Sequence, residues 1–183
     1  MNNILYINPL TVHITFLILW STEITKKTLT KNMETSINFP KFLVDIVDEY
    51  NIHEIWCVTG PGPFTLMRII TLSINALTYT RDIKLKSCHF FDLIQNNNTP
   101  IIEANSREYL IRENNKTIHI KKDDLSHWCY EGIFSEILST ENIKYIQYKE
   151  DQYNIDSAFS KKTTINHISP IYFKPPHITC PIP

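Results

Sequence analysis

Apolar positions along the first half of the chain switch between two spacings, and the switches mark its elements. Runs near 4–8 and 12–20 are dominated by β-branched and aromatic residues and meet at Asn8-Pro9-Leu10-Thr11. They predict a strand pair joined by a turn. A more polar run near 22–30 reads as an edge strand. From Pro40 the spacing becomes helical, with Phe42, Leu43, Ile46, Val47 and Tyr50 on one side of a helix near 40–50. A strand near 54–59, a long helix near 63–80, a strand near 83–88 and a short helix near 89–95 follow. Three strands and then alternating helix and strand predict an α/β fold, a mixed sheet flanked by helices.

Gln95-Asn96-Asn97-Asn98-Thr99-Pro100 is the clearest break in composition. It divides the chain into an N-terminal lobe, 1–98, and a shorter C-terminal lobe, 99–183. Within the second lobe, 100–104, 108–112 and 116–121 read as an antiparallel meander, 127–139 as a helix and 144–149 as a strand. The last 14 residues hold five prolines, which predicts an extended tail.

The turn between strand 54–59 and helix 63–80 reads Gly60-Pro61-Gly62-Pro63, and it holds two of the chain's three glycines. Glycine there supplies a positive φ or lets another backbone approach, and Pro63 suits a first helical turn. A strand, a glycine turn and a helix can also offer helix N-terminal amides to phosphate. No Gly-Lys-Ser or Gly-Lys-Thr accompanies it. Ligand site and structural corner both remain open on the residues alone. Thr65 and Arg68 lie just inside the helix, and Arg68 is expected to tie down the turn or the carbonyl ends of neighbouring strands.

Beyond Arg68, the polar stripe of this helix is only Thr71, Asn75 and Thr78. Its apolar arc is wider than one packing face needs. Either the helix is central within one domain, or a strip of it meets another subunit. For the second case the expected strip is Met67, Ile70, Ile74 and Leu77, beside Phe42, Ile46 and Tyr50 of helix 40–50. Two such helices from each of two subunits would form a four-helix contact.

A net charge of −1 over 183 residues argues against a broad nucleic-acid footprint, although Lys121, Lys122, Lys161 and Lys162 could form a local patch. Four cysteines without CxxC spacing read as reduced thiols of a cytoplasmic protein. The apolar N-terminus is interrupted by Asn8-Pro9 and His13, which reads as strands and not as a membrane anchor. No GxSxG, HExxH or paired CxxC pattern appears, and the expectation is no catalytic residue, no metal site and no cofactor.

In order along the chain, ILYINPLT, IHEIWCVTGPGPFTLMRI and KLKSCHFFDL, then PIIEANSREYLI, then ISPIYFKPP resemble the bacterial TsaB (YeaZ) family. Asn8 stands where the family has aspartate, Pro63 where it has serine, Leu66 and Ile70 where it has glycines, and Lys174 where it has arginine. The resemblance implies an actin-like ATPase (ribonuclease H-like) fold with a reduced second lobe. It further implies a non-catalytic scaffold subunit in the synthesis of threonylcarbamoyladenosine at position 37 of tRNA. Such a subunit would pair with the catalytic subunit TsaD, be joined by the ATPase TsaE and meet tRNA indirectly; whether it homodimerises when alone stays open on the sequence. The resemblance points to helices 40–50 and 63–80 for the pairing. The alternatives are a direct tRNA-binding module, or a peptidase or kinase-like enzyme of the same fold. A first turn without acid or glycine argues against ATP hydrolysis by this chain.

Overall fold

The computed structural model describes residues 3–20, 23–94, 98–105, 107–125, 129–134 and 144–174, the side chain of Tyr145 apart. Strands β1 (Asn3–Asn8), β2 (Ile14–Trp20) and β3 (Glu23–Leu29) form the antiparallel side of a sheet, with Ile4 opposite Leu19 and Ile18 opposite Thr25. Strands β4 (Ile52–Val58) and β5 (Lys84–Cys88) extend it in parallel, giving the order β3-β2-β1-β4-β5.

Both faces of this sheet are covered, and the period-2 alternation assigns each side chain to one of them. Leu5, Ile7, Ile14, Phe16, Ile18, Ile55 and Cys57 point toward helices α1 (Thr35–Glu49) and α2 (Phe64–Thr80). Tyr6, Leu17, Leu19, Trp56 and Val58 point the other way. They pack with Phe90 and Phe91 of a short 3₁₀ turn after β5, and with Ile155 and Phe159 of helix α3 (Gln152–Ser160). Trp56 and Phe159 stack with ring centroids 5.0 Å apart, within the range in which aromatic pairs attract.

The second sheet has the order β10-β9-β6-β7-β8. Its antiparallel part is β6 (Thr99–Asn105), β7 (Glu108–Glu113) and β8 (Lys116–Lys121), as the meander predicted. Strands β9 (Cys129–Ile133) and β10 (Lys144–Gln147) run parallel beside β6. Ile102 and Leu110 of this sheet, with Tyr148, join the cluster on the far face of the first.

Three elements differ from the sequence reading. Helix α1 begins at Thr35, so Pro40 lies inside it and not at its start. A local turn starts the helix earlier: the Asn32 amide donates to the Thr35 hydroxyl, and the Glu34 amide to the Asn32 side chain. The helix expected over 127–139 is strand β9 at Cys129–Ile133; 127–128 and 135–139 lie outside the described residues. Gly132 opposes Ile101, and a Cβ on it would stand 1.6 Å from the Ile101 carbonyl oxygen. That close approach requires glycine, and a helical reading left it without a reason. Helix α3 is the third difference. Asp151 caps it by accepting from the Tyr153 and Asn154 amides, and Ile155, Ala158 and Phe159 bury its inner side. The cap is readable in the sequence.

Candidate functional site

The glycine turn is already filled, by the chain's own later residues. The Ile171 amide donates to the Thr59 carbonyl (2.8 Å), the Gly62 amide to the Ile171 carbonyl (3.0 Å), and the Phe173 amide to the Gly62 carbonyl (3.0 Å). Gly60 has φ +125°, and a Cβ there would meet the Ile171 carbonyl oxygen at 2.2 Å. Glycine is thus needed at this position twice over, for its backbone angle and for the strap that lies against it. The structure resolves the open choice in favour of a corner. Upstream, the strap is fixed by Asn75, whose side chain accepts from the Ile168 amide and donates to its carbonyl, both at 2.9 Å. Downstream, Tyr172 lies against Phe64 at 4.6 Å between centroids, and Lys174 reaches Glu108 at 2.6 Å.

Pro63 is the N-cap of α2, one residue before the first turn, and its carbonyl accepts from the Met67 amide. Thr65 and Arg68 are exposed. The Arg68 side chain has no hydrogen bond or ion pair among the described residues, so the expected tie to the turn is not made. The strap's backbone bonds do that work.

The strip Met67, Ile70, Ile74 and Leu77 is buried against the chain's own sheets, as is Ile46, and Phe42 and Tyr50 are half-buried in the same packing. The outward strip expected from the sequence therefore faces inward. Helical spacing allows more than one apolar strip on α2, and the place of the first sheet decides which one is buried. The face that α1 and α2 do turn outward carries Ile37 (72% exposed), Val44, Leu72 (57%) and Tyr79 (92%). Pro40, Val44, Leu72 and Ala76 line a groove between the two helices, about 510 Å³ in volume.

The first turn, between β1 and β2, is built around a fully buried Asn8. Its Oδ1 accepts from the Leu10 amide (3.0 Å), and its Nδ2 donates to Glu150 Oε1 (2.8 Å). Burial pushes the Glu150 carboxyl above the usual range, against the opposing pull of Asn8 and Lys26. Lys31 donates to the Thr11 carbonyl, and burial lowers its pKa to about 8. The amide at position 8 thus spends both its polar atoms on the fold. Among the described residues no group of three His, Cys, Asp or Glu converges as metal ligands would.

A second polar centre escaped the sequence reading. Asp92 accepts from Arg112 of β7 and from Lys162 after α3 (2.9 Å), and it also accepts from the His89 amide (3.3 Å). Burial raises its pKa, but the hydrogen bonds from Arg112 and Lys162 outweigh this and hold it below the usual range. The same burial, with the Arg112 charge, lowers His89 to about 4, so the imidazole is neutral and its Nδ1 accepts from the Phe91 amide. These groups join the first sheet to the second. Cys57 and Cys88 are buried thiols whose pKa values burial raises, which leaves them inert at neutral pH.

No helix among the described residues is long and apolar enough to cross a membrane. No protein-family model matches the sequence, and no curated protein does. Among solved structures, the chain is similar to YeaZ from Pseudomonas aeruginosa, with a TM-score of 0.56 and 13% identity over 72% of this chain and 76% of that one. It is likewise similar to a protein described as uncharacterized, with similarity to peptidase YeaZ from Pseudomonas aeruginosa, at a TM-score of 0.53, 13% identity, and 72% and 75% coverage. The chain has the fold of these structures, the actin-like α/β architecture that the resemblance implied.

Proposed function

We propose that the chain is a TsaB-type scaffold subunit, which pairs with a TsaD-like catalytic subunit in making threonylcarbamoyladenosine at position 37 of tRNA and performs no chemistry itself. The observation that carries this reading is the outward apolar face of α1 and α2 on a YeaZ-like fold. Ile37, Val44, Leu72 and Tyr79 give this face an apolar surface, with Ile37 and Tyr79 the most exposed. Such a face is better explained by a partner than by solvent. The four-helix contact expected from the sequence survives in this reading, with the opposite strip of α2 at the seam. A TsaE-like ATPase would then join the pair, and tRNA would be met through the complex.

Two further features support a role without turnover. Asn8 occupies the position of a phosphate- or metal-organising acid and is committed to Leu10 and Glu150. The glycine turn is occupied by the strap at Ile171. The test is size-exclusion chromatography of the chain mixed with the TsaD homologue of its host. Wild type should co-elute, and Leu72→Lys, which changes only an exposed side chain, should stay folded and elute alone. Co-elution of Leu72→Lys and of Val44→Lys would remove the face from consideration. Saturable ATP hydrolysis by the purified chain would overturn the scaffold role.

A further inference from the structure

At one end of the second sheet the β6–β7 turn, the end of β8 and the 3₁₀ turn at Lys122–Asp124 enclose a cleft of about 710 Å³, lined by Asn105, Arg107, Glu108, Lys121, Lys122 and Asp123. Backbone pairing fixes its walls. Glu108 lies opposite Lys121 in the β7–β8 ladder, and the Lys122 amide donates to the Arg107 carbonyl at 3.1 Å. The Asn105 side chain accepts from the Arg107 amide (2.9 Å), which sets the turn that carries the guanidinium.

The charges are unevenly spent. Glu108 accepts from Lys174 of the strap (2.6 Å) and from Asn105 (2.8 Å), and these bonds hold its carboxyl below the usual range, with a smaller pull from His119. Its charge is therefore already matched. Arg107, Lys121 and Lys122 have no ion pair among the described residues, and Asp123 is the one other carboxylate on the lining. Three uncommitted cations on a backbone-fixed cleft are a local reversal of a chain whose net charge is −1. A guanidinium fork beside two ammonium groups fits the tetrahedral oxygens of phosphate.

We propose that this cleft binds phosphate groups, carried either by a free nucleotide or by an RNA strand, through Arg107, Lys121 and Lys122. The inference stands on the second sheet and does not rest on the pairing role of α1 and α2, so either can fail without the other.

The experiment measures fluorescence anisotropy of a labelled single-stranded RNA 20-mer at low salt, with ATP and poly-glutamate as competitors. Wild type is compared with Arg107→Gln/Lys121→Gln, both exposed positions. The double variant should keep the wild-type melting curve, lose at least tenfold in affinity, and show a salt slope smaller by about 0.7 for each phosphate contact removed. ATP displacing the RNA would identify a free nucleotide as sufficient; RNA binding that ATP leaves intact would identify the strand. Equal affinity of wild type and variant, displacement by poly-glutamate as effective as by ATP, or no binding of either probe would overturn the proposal.

Discussion

Gly60→Ala probes the contact between the glycine turn and the strap, and its cost divides into two parts. The first is the backbone: φ +125° is a region that residues with a Cβ rarely adopt, at about 1–3 kcal/mol. The second is displacement. A Cβ 2.2 Å from the Ile171 carbonyl oxygen cannot be relieved by a rotamer, because the atom it meets is backbone. The strap must move, with the bonds Ile171–Thr59, Gly62–Ile171 and Phe173–Gly62, at about 0.5–1.5 kcal/mol each. The two parts separate in a chain ending at Ser169, which lacks those three bonds but keeps Ile168 and its clasp on Asn75. Urea denaturation should give a loss of roughly 3–7 kcal/mol for Gly60→Ala in the full chain and only about 1–3 in the shortened one, a coupling that contacting residues show and independent ones do not. Limited proteolysis of full-length Gly60→Ala should cut within 169–174 sooner than wild type. Equal losses in the two backgrounds would show that the strap is not what the glycine accommodates.

Ile74→Lys, in the fully buried strip of α2, should unfold the chain or cost more than about 4 kcal/mol, whereas Leu72→Lys should stay within about 0.5 kcal/mol of wild type; comparable melting curves would contradict the burial. Asn75→Ala leaves the Ile168 amide and carbonyl without their partner, and urea titration should show a loss of about 1–3 kcal/mol. Glu150, raised by burial, stabilises the fold fully only below its unfolded value of about 4.3, and that contribution is lost as pH rises through the folded pKa. Glu150→Gln should therefore gain on wild type as pH climbs above that range, and a difference in melting temperature that stays flat from pH 4 to 8 would refute this.

The first lobe was legible because its strands and helices each carry one clean period. Tyr6 and Leu5 alternate across β1, and Phe39, Leu43 and Ile46 recur along α1. What the period could not reveal is which of two apolar arcs on α2 meets the sheet. Both satisfy an amphipathic count, and only the position of β1, β2 and β4 in space selects Met67, Ile70, Ile74 and Leu77. The glycine turn was located from composition, but its occupant lies far along the chain, and no local pattern links Gly60 to Ile171. Asp92 was likewise invisible. Arg112 and Lys162 come from separate elements, and their convergence is a fact of tertiary structure. Helix α3 was missed although its Asp151 cap was readable, because a short helix makes a weak period.

The strap also sets an order of events. Residues 165–174 leave the ribosome after both sheets, yet they complete the first one: Ile165 bridges Leu85, and Ile171 and Phe173 close over Thr59 and Gly62. Until then the start of α2 has its turn open and Gly60 free to rearrange. The backbone pairing of the N-terminal lobe is therefore complete only once these last contacts form. It waits on distant contacts, which slows folding by lengthening the loops that must close. A nascent chain that stalls before these residues would present an unfinished lobe to chaperones and proteases.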